Sequence, residues 1–477
     1  MAHQEISDDS VLPAGRMARS VLIVITLCAS VALLDGFDTQ TISLAAPAIG
    51  ATWRVQPSVF GTVFGIGLFG QLIGATVAGV IGDRIGRRPL VLFGVLGFAV
   101  LTLLTPMLAS SIGALEILRF CTGLGLGAAV PGILSITSEY APTKSRTTVV
   151  GLMWCGFPMG AVIGGVLAAW LIPVYGWHGL FYVGGVVPLL LLVLLSFHLP
   201  ESARFLQMRG DTAAASGILE RLGIPADGGG EPAAPGPKRS PVADLFRQGR
   251  AASTMLLWTA MFLTLLMMYF MVTWLPSLAV GAGMRNALLA VSTLNLGGVI
   301  GCLLISRLAD RRAPALVIGG AFTVGAVAVG LIGWASTSGG LLLVVTFVAG
   351  LFSLGAQLCT VALCATFYET RLRATGVGWS IGAGRIGGIV GPVIGGMLIA
   401  AGLAVPTLFL LAGGVSLCTA LVLFAFSWFR PRTAETVPVS APAKEGTRAG
   451  PEPGKRSGRR GKRRAGSPGL LAEELLG

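Results

Sequence analysis

Charge is scarce in this chain of 477 residues. Only 12% are Asp, Glu, Lys or Arg, against about 25% in soluble domains. That is too little to coat a globular surface, and with 54% apolar residues and a mean hydropathy of +0.81 it excludes a set of soluble domains. Histidine occurs three times, and none of the seven cysteines forms a CxxC pair. No metal-ligand cluster or nucleophile–base arrangement therefore points to an enzyme, and the cysteines read as thiols packed between helices. The N-terminus, MAHQEISDDSVLPAGRMAR, is acidic ahead of its basic pair. It lacks the charged–apolar–cleavage order of a signal peptide, so the first apolar run is expected to stay as a helix.

Long apolar runs and glycine are abundant. Runs of spanning length, about 17–25 residues, begin near Ser20, Pro57, Pro89, Ile112, Thr147 and His178, and again near Ala251, Asn286, Pro314, Gly339, Ala374 and Val405. This predicts an all-α integral membrane protein with twelve transmembrane helices in two six-helix bundles. The expected divisions are a tail (1–19), an N-terminal bundle (20–199), a linker (200–250), a C-terminal bundle (251–429) and a basic, disordered tail (430–477). The linker contains ADGGGEPAAPGPKRSP, whose Pro and Gly read as disordered; its first part, ESARFLQMRGDTAAASGILERLG, reads as a short surface helix.

The formal net charge is +13, of which +6 lies from Arg430 onward. Arg16, Arg19, Arg84, Arg87, Arg88, Lys144, Arg146, Arg204, Arg307, Arg311, Arg312, Arg371 and Arg373 fall on one side of the spans, and Arg54 and Arg285 on the other. The positive-inside rule makes both termini and the linker cytoplasmic. The basic excess thus reports topology in an inner membrane, and a nucleic-acid partner is not expected. The halves repeat at an offset of about 230 residues. Gly160-Ala-Val-Ile-Gly-Gly165 recurs as Gly391-Pro-Val-Ile-Gly-Gly396, Asp83-Arg84 as Asp310-Arg311, and Glu139 as Glu369. Parallel repeats of this kind place a substrate between the halves.

The few charges inside the spans are the candidate site. Asp35 and Asp38 sit at i and i+3, on one helix face, about 15 to 18 residues into span one. Each charge at mid-bilayer costs roughly 2.5–3.5 kcal/mol, so the pair must face a polar cavity or partners, which suits it to carrying a proton. Arg119 in span four and Arg385 in span eleven are the intramembrane cations; a guanidinium binds a carboxylate in a planar fork. Asp38 or Glu116 is a possible partner for Arg119, whereas Arg385 has no acidic neighbour on its own helix. Gln71, Asn295, Gln357, Trp154, Tyr269 and Trp379 offer further hydrogen bonds and ring faces.

The loop Gly79-Val-Ile-Gly82-Asp83-Arg84-Ile-Gly86-Arg87-Arg88, with its degenerate copy Ala309-Asp310-Arg311-Arg312, resembles the signature loop of the major facilitator superfamily. Asp35-Gly-Phe-Asp38, Trp274-Leu-Pro276, Pro200-Glu201-Ser202 and Arg373-Ala-Thr-Gly-Val-Gly-Trp379 followed by Gly384-Arg385-Ile-Gly resemble its aromatic acid:proton symporters. The resemblance implies proton-coupled uptake of a benzoate-like or hydroxybenzoate-like anion by alternating access. It implies coupling roles for Asp35, Asp38, Arg119 and Arg385. The expected division is proton coupling by Asp35 and Asp38 and substrate binding by Arg119 and Arg385, with Asn295 and Trp379, from their polarity and ring face, as further candidate contacts. Gating falls to Asp83, Arg84, Gly86, Arg87, Arg88, Glu139, Arg146, Asp310 and Arg311. Asp83 is expected at the N-terminus of span eleven, where the helix dipole favours an anion. No cofactor is expected; the energy source is the proton gradient, the partners are a small aromatic acid, protons and the lipid bilayer, and the unit is a monomer. Phe37, Phe367-Tyr368-Glu369 and Arg371 depart from the family pattern and bear on substrate more than on family. The alternatives are a symporter of another organic anion such as a dicarboxylate, a drug:proton antiporter on the same fold, or a membrane sensor of aromatic acids.

Overall fold

The computed structural model describes residues 19–142, 145–224, 242–247, 249–281, 283, 287–335 and 339–429. Arg16, Lys144, Arg285, residues 225–241 and 248 of the linker, and the basic tail lie outside these residues. Among the described residues all regular structure is helical. The N-terminal half comprises α1 (Arg19–Trp53), α2 (Phe60–Ile85), α3 (Arg87–Leu108), α4 (Ile112–Tyr140), α5 (Arg146–Trp154) and α6 (Gly156–His198). The expected surface helix is present as two, α7 (Ala203–Met208) and α8 (Thr212–Leu222). The C-terminal half comprises α9 (Ala251–Gly281), α10 (Ala287–Arg311), α11 (Pro314–Leu331) and α12 (Gly339–Ala349). It continues through a π-helical turn at Gly350–Leu354 into α13 (Gly355–Phe367), then α14 (Thr370–Ala400) and α15 (Val405–Phe429).

Spans five and six are expected as separate helices but run on with no loop between them, over Thr148–His198, a stretch of 51 residues, where about 20 suffice to cross a bilayer. Gly176, at φ 68° and ψ −175°, interrupts it, a conformation a Cβ would oppose. Gly164 and Gly184, on either side, both approach the ring of Phe37. In a straight helix, 20 residues would separate them by about 30 Å, so the chain doubles back at Gly176. The run is therefore two crossings, which brings the described residues to the expected twelve. Phe93, Met107, Phe197 and Trp428 are among the large apolar side chains left exposed, as lipid-facing positions of a multi-pass membrane protein require.

Glycine sets the packing distances. A Cβ on Gly36 would lie 1.9 Å from Phe157 O, and one on Gly160 1.8 Å from Leu33 O, so α1 and the first leg of α6 touch backbone to backbone. The repeated segment performs the same task in the other half. Cβ atoms on Gly387 and Gly391 would lie 2.1 Å from Phe262 O and 2.4 Å from Leu266 O, joining α14 to α9. The duplication seen in the sequence is thus a duplicated helix contact.

The halves meet at the end that carries the α1–α2 turn. There a Cβ on Gly61 would lie 3.1 Å from Gly396 Cα, Phe64 meets Trp274 edge-on at 5.4 Å, and Ser292 Oγ donates to Val162 O at 2.7 Å. Along the same two helices toward the other end, Gly79 of α2 and Gly378 and Gly382 of α14 have nothing within 4 Å of a would-be Cβ. The two helices therefore diverge toward the end bearing the α2–α3 loop. Gly160→Ala is expected to lower the melting temperature of the purified protein, because overpacking costs about 1–3 kcal/mol. Gly79→Ala should leave it unchanged, and a thermal-shift assay on both variants checks the contrast.

Candidate functional site

The buried charges gather where α1, α2 and α4 face α9. Close packing of α2 on α4 makes this possible: Cβ atoms on Gly123 and Gly127 would fall 2.2 Å from Gly67 O and 2.1 Å from Gln71 O. With the two helices that near, Arg119, two turns into α4, reaches α1. Its Nη2 donates to Asp38 Oδ2 at 2.8 Å, with both side chains buried. Thr102 of α3 donates to the other oxygen, Asp38 Oδ1, at 2.5 Å, and the Arg119 guanidinium lies over the Phe181 ring at 5.9 Å. Asp38 is thereby saturated on both oxygens.

Asp35, one turn earlier, is placed differently. Its Oδ1 accepts from Gln71 Nε2 at 3.1 Å and from Thr39 Oγ1 at 3.5 Å, whereas Oδ2 is buried without a partner. Arg119 Nη1 is likewise buried and unpartnered. Arg385 of α14 lies close enough for its charge to act on both Asp35 and Tyr269. A cavity of about 40 Å³ opens onto Asp38, Gln71, Arg119, Tyr269 and Thr273. A benzene-sized ring occupies a cavity of about 150 Å³, so this one admits water, and a ring enters only when the walls separate.

Of the residues expected to line a cavity, Gln71 and Tyr269 do. Two substrate contacts expected from the sequence are elsewhere. Asn295 is buried and donates from Nδ2 to Val291 O at 2.9 Å, within its own helix. Trp379, half exposed, stacks on Trp258 at 5.6 Å, about 9 Å along α14 from Arg385 toward the helix start by helical rise. Gln357 is buried outside the cavity lining, and Trp154 packs on Phe157 at 6.3 Å. Glu116 pairs with Thr62, leaving Arg119 to Asp38. The segment Gly378-Trp-Ser380-Ile-Gly382 spells a nucleophile-elbow pattern, but it lies inside α14. Ser380 there is buried and donates to Gly376 O at 2.8 Å, without the strand-to-helix turn such a site needs.

The signature loop is held within its own half. Asp83 does not sit at the start of α14; it pairs with Arg87 at 2.7 Å and stays largely exposed, because the helices have diverged at this end. Arg84, Arg146, Asp310 and Arg311 are exposed. Glu201, whose contact with the signature loop sequence reasoning missed, accepts from the N–H groups of Arg87 and Arg88 at 2.7 and 3.1 Å, capping the first turn of α3. Gly86 makes the approach possible: φ is 106°, and a Cβ would lie 2.3 Å from Glu201 Oε2. Arg88 Nη2 donates to Ser196 O at 2.6 Å. Glu139 accepts from Ser202 Oγ at 2.5 Å and Arg204 N at 2.7 Å, fixing α7 to the end of α4. Its counterpart Glu369 pairs with Arg250 at 2.7 Å. Beside it Tyr368 is buried, which pushes its hydroxyl pKa up and keeps the phenol neutral.

Two six-helix halves around a buried charge cluster define a polytopic membrane transporter. The sequence matches the Major Facilitator Superfamily over residues 28–343 and 315–469. It is 36% identical to a gallate transporter of Pseudomonas putida over 87% of this chain and 94% of that protein. It is 36% identical to the 4-hydroxybenzoate transporter PcaK of Acinetobacter baylyi over 80% and 86%, and 31% identical to a benzoate transport protein of the same organism over 83% and 87%. The fold resembles the xylose transporter XylE from E. coli in a partially occluded inward open conformation, with TM-score 0.68 at 19% identity, covering 85% of this chain and 98% of that one. The chain belongs to the major facilitator superfamily, and it is a transporter of small molecules, not an enzyme.

Removing one member of a buried ion pair costs about 3–5 kcal/mol, while removing both is far milder. Arg119→Leu should therefore be strongly destabilised, and the Asp38→Leu/Arg119→Leu double variant should recover much of the loss. Chemical denaturation of the four proteins in detergent measures the cycle.

Proposed function

We propose that this chain imports an aromatic carboxylate of the benzoate or hydroxybenzoate class together with a proton, by alternating access across the inner membrane, with both termini cytoplasmic. The observation that carries the reading is the buried, unpartnered Asp35 Oδ2, which feels the charge of Arg385, one turn from the Asp38–Arg119 pair. With Asp35 and Asp38 both ionised, the cluster holds two negative and two positive charges and offers an anion no net attraction. A proton on Asp35 leaves one positive charge in excess, carried by Arg385, since Arg119 remains tied to Asp38. A monoanionic carboxylate then restores balance. Proton and anion each favour the other's binding, which is symport; a cationic drug would compete with the proton, which is antiport. The saturated Asp38 is the fixed counter-ion, and Asp35 is the carrier.

The side chains at hand support the aromatic assignment: Tyr269 and Phe64 supply ring faces on the cavity and Gln71 an amide. The relatives named for gallate, 4-hydroxybenzoate and benzoate point to the same class. One proton per monoanion is electroneutral, so each unit of ΔpH drives about tenfold accumulation, ~1.4 kcal/mol; a second proton would add ~2.3 kcal/mol per 100 mV. A cavity lined by one chain supports a monomeric transporting unit, with the proton gradient as the energy source and no cofactor. The basic loops orient the protein in the bilayer, with no nucleic-acid partner.

Uptake of labelled 4-hydroxybenzoate into cells is expected to collapse on addition of a protonophore; insensitivity would refute proton coupling. Arg385→Ala should abolish uptake, and survival of aromatic-acid transport in that variant overturns its role as the anion clamp. Asp35→Asn, which mimics the protonated carboxyl, should lose accumulation while retaining exchange of external for internal substrate.

A further inference from the structure

A second cavity, of about 360 Å³, lies at the edge of the N-terminal half, in the corner formed by the starts of α1 and α3, the end of α6, and α8. It shares no lining residue with the central cluster. Its volume is in the range of small-molecule sites, about 300–1,000 Å³. Ser20 Oγ donates to Leu222 O at 2.9 Å, tying the end of α8 across the start of α1. Leu219 and Leu222 are buried beneath it, so this wall is a packed element.

The lining is chemically two-sided. Arg88, His198 and Arg221 line it, with Glu201 as its sole carboxylate. That carboxylate is already engaged by the N–H groups of Arg87, Arg88 and Ser202, and two arginines outnumber it in the lining. Arg88 keeps one nitrogen, Nε, buried without a partner, and Arg221 is exposed. The polar side of the corner is thus cationic. The other side is formed by Ile23, Phe197 and Ile218. Phe197 is 76% exposed and continues into Leu190, Val193 and Leu194, the exposed strip of the same helix, which is the surface that meets acyl chains.

We propose that this corner binds an anionic phospholipid, with its phosphate against Arg88 and Arg221 and an acyl chain along the Phe197 strip. A soluble phosphate compound would satisfy the cations and leave the apolar side unused; a zwitterionic lipid would bring its own cation against Arg221. An anionic lipid matches both sides at once. Held there, it would brace α8 and the α3 cap that secures the signature loop.

The test uses the purified full-length chain in detergent, with lipid retention read by native mass spectrometry against phosphatidylglycerol and phosphatidylcholine. Wild-type protein is expected to retain phosphatidylglycerol preferentially. Arg221→Gln, at an exposed position, should reduce that retention about fivefold, the effect of one basic charge near a membrane surface. Arg209→Gln, outside the cavity, should not change it. Equal retention of both lipids, or unchanged retention in Arg221→Gln and in the His198→Gln/Arg221→Gln double variant, overturns the proposal. Glycerol phosphate is expected not to displace the lipid. Displacement at concentrations matching the lipid's own would show that the corner reads phosphate alone, and the proposal would fall in favour of a soluble ligand.

Discussion

A carboxylate and a guanidinium 2.8 Å apart in the middle of a membrane bundle constrain everything around them. Each charge alone costs a few kcal/mol at mid-bilayer, so Asp38 and Arg119 are tolerable only together; Arg119 Nη1 is still left without a partner. Thr102 supplies one partner and the Phe181 face another. The pair forms because α4 lies against α2 at a separation that glycines alone permit. A methyl group at Gly123 or Gly127 would push α4 outward and draw the guanidinium from its partner. The unusual glycine content is therefore a condition of the site as well as of the fold.

What remains after that pair is satisfied is where the proposed function rests. Asp35 has one oxygen held by Gln71 and one held by nothing, and the balancing cation, Arg385, comes from the other half of the molecule. Charge balance in the cluster therefore depends on both halves, which is what a device driven by their relative movement needs. The divergence of α2 and α14 at the signature-loop end accounts for Asp83 pairing with Arg87 in place of the start of α14. Its partner in the other half is out of reach while the helices are apart.

The legible parts of this architecture were those governed by local periodicity and cost. The spacing of Asp35 and Asp38 placed them on one face of α1. The expense of burying them required a cavity or partners, and both are present. The duplicated Gly160–Gly165 and Gly391–Gly396 segments revealed two related halves, and each makes the same backbone contact. Thr102 and Glu201 were not identified as partners, because an apolar run with two threonines and a lone Pro-Glu-Ser after a span have no periodic signal. That Asn295 and Trp379 lie outside the cavity lining in this structure was illegible for the complementary reason: polarity and aromaticity mark a residue as unusual without saying which way its helix faces.

The sequence by itself determined the class of protein, the twelve crossings, and which rare ionisable residues must be accounted for. These follow from bilayer thickness and from the cost of charge in hydrocarbon, which act on any chain regardless of its neighbours. Only the tertiary structure decided that Arg119 belongs to Asp38, that Asp35 retains a free oxygen, that spans five and six share one turn at Gly176, and that Glu201 caps α3. Each of these is a pairing between residues far apart in the chain. A pairing is fixed by how closely helices approach and how they are rotated, which no single helix can specify.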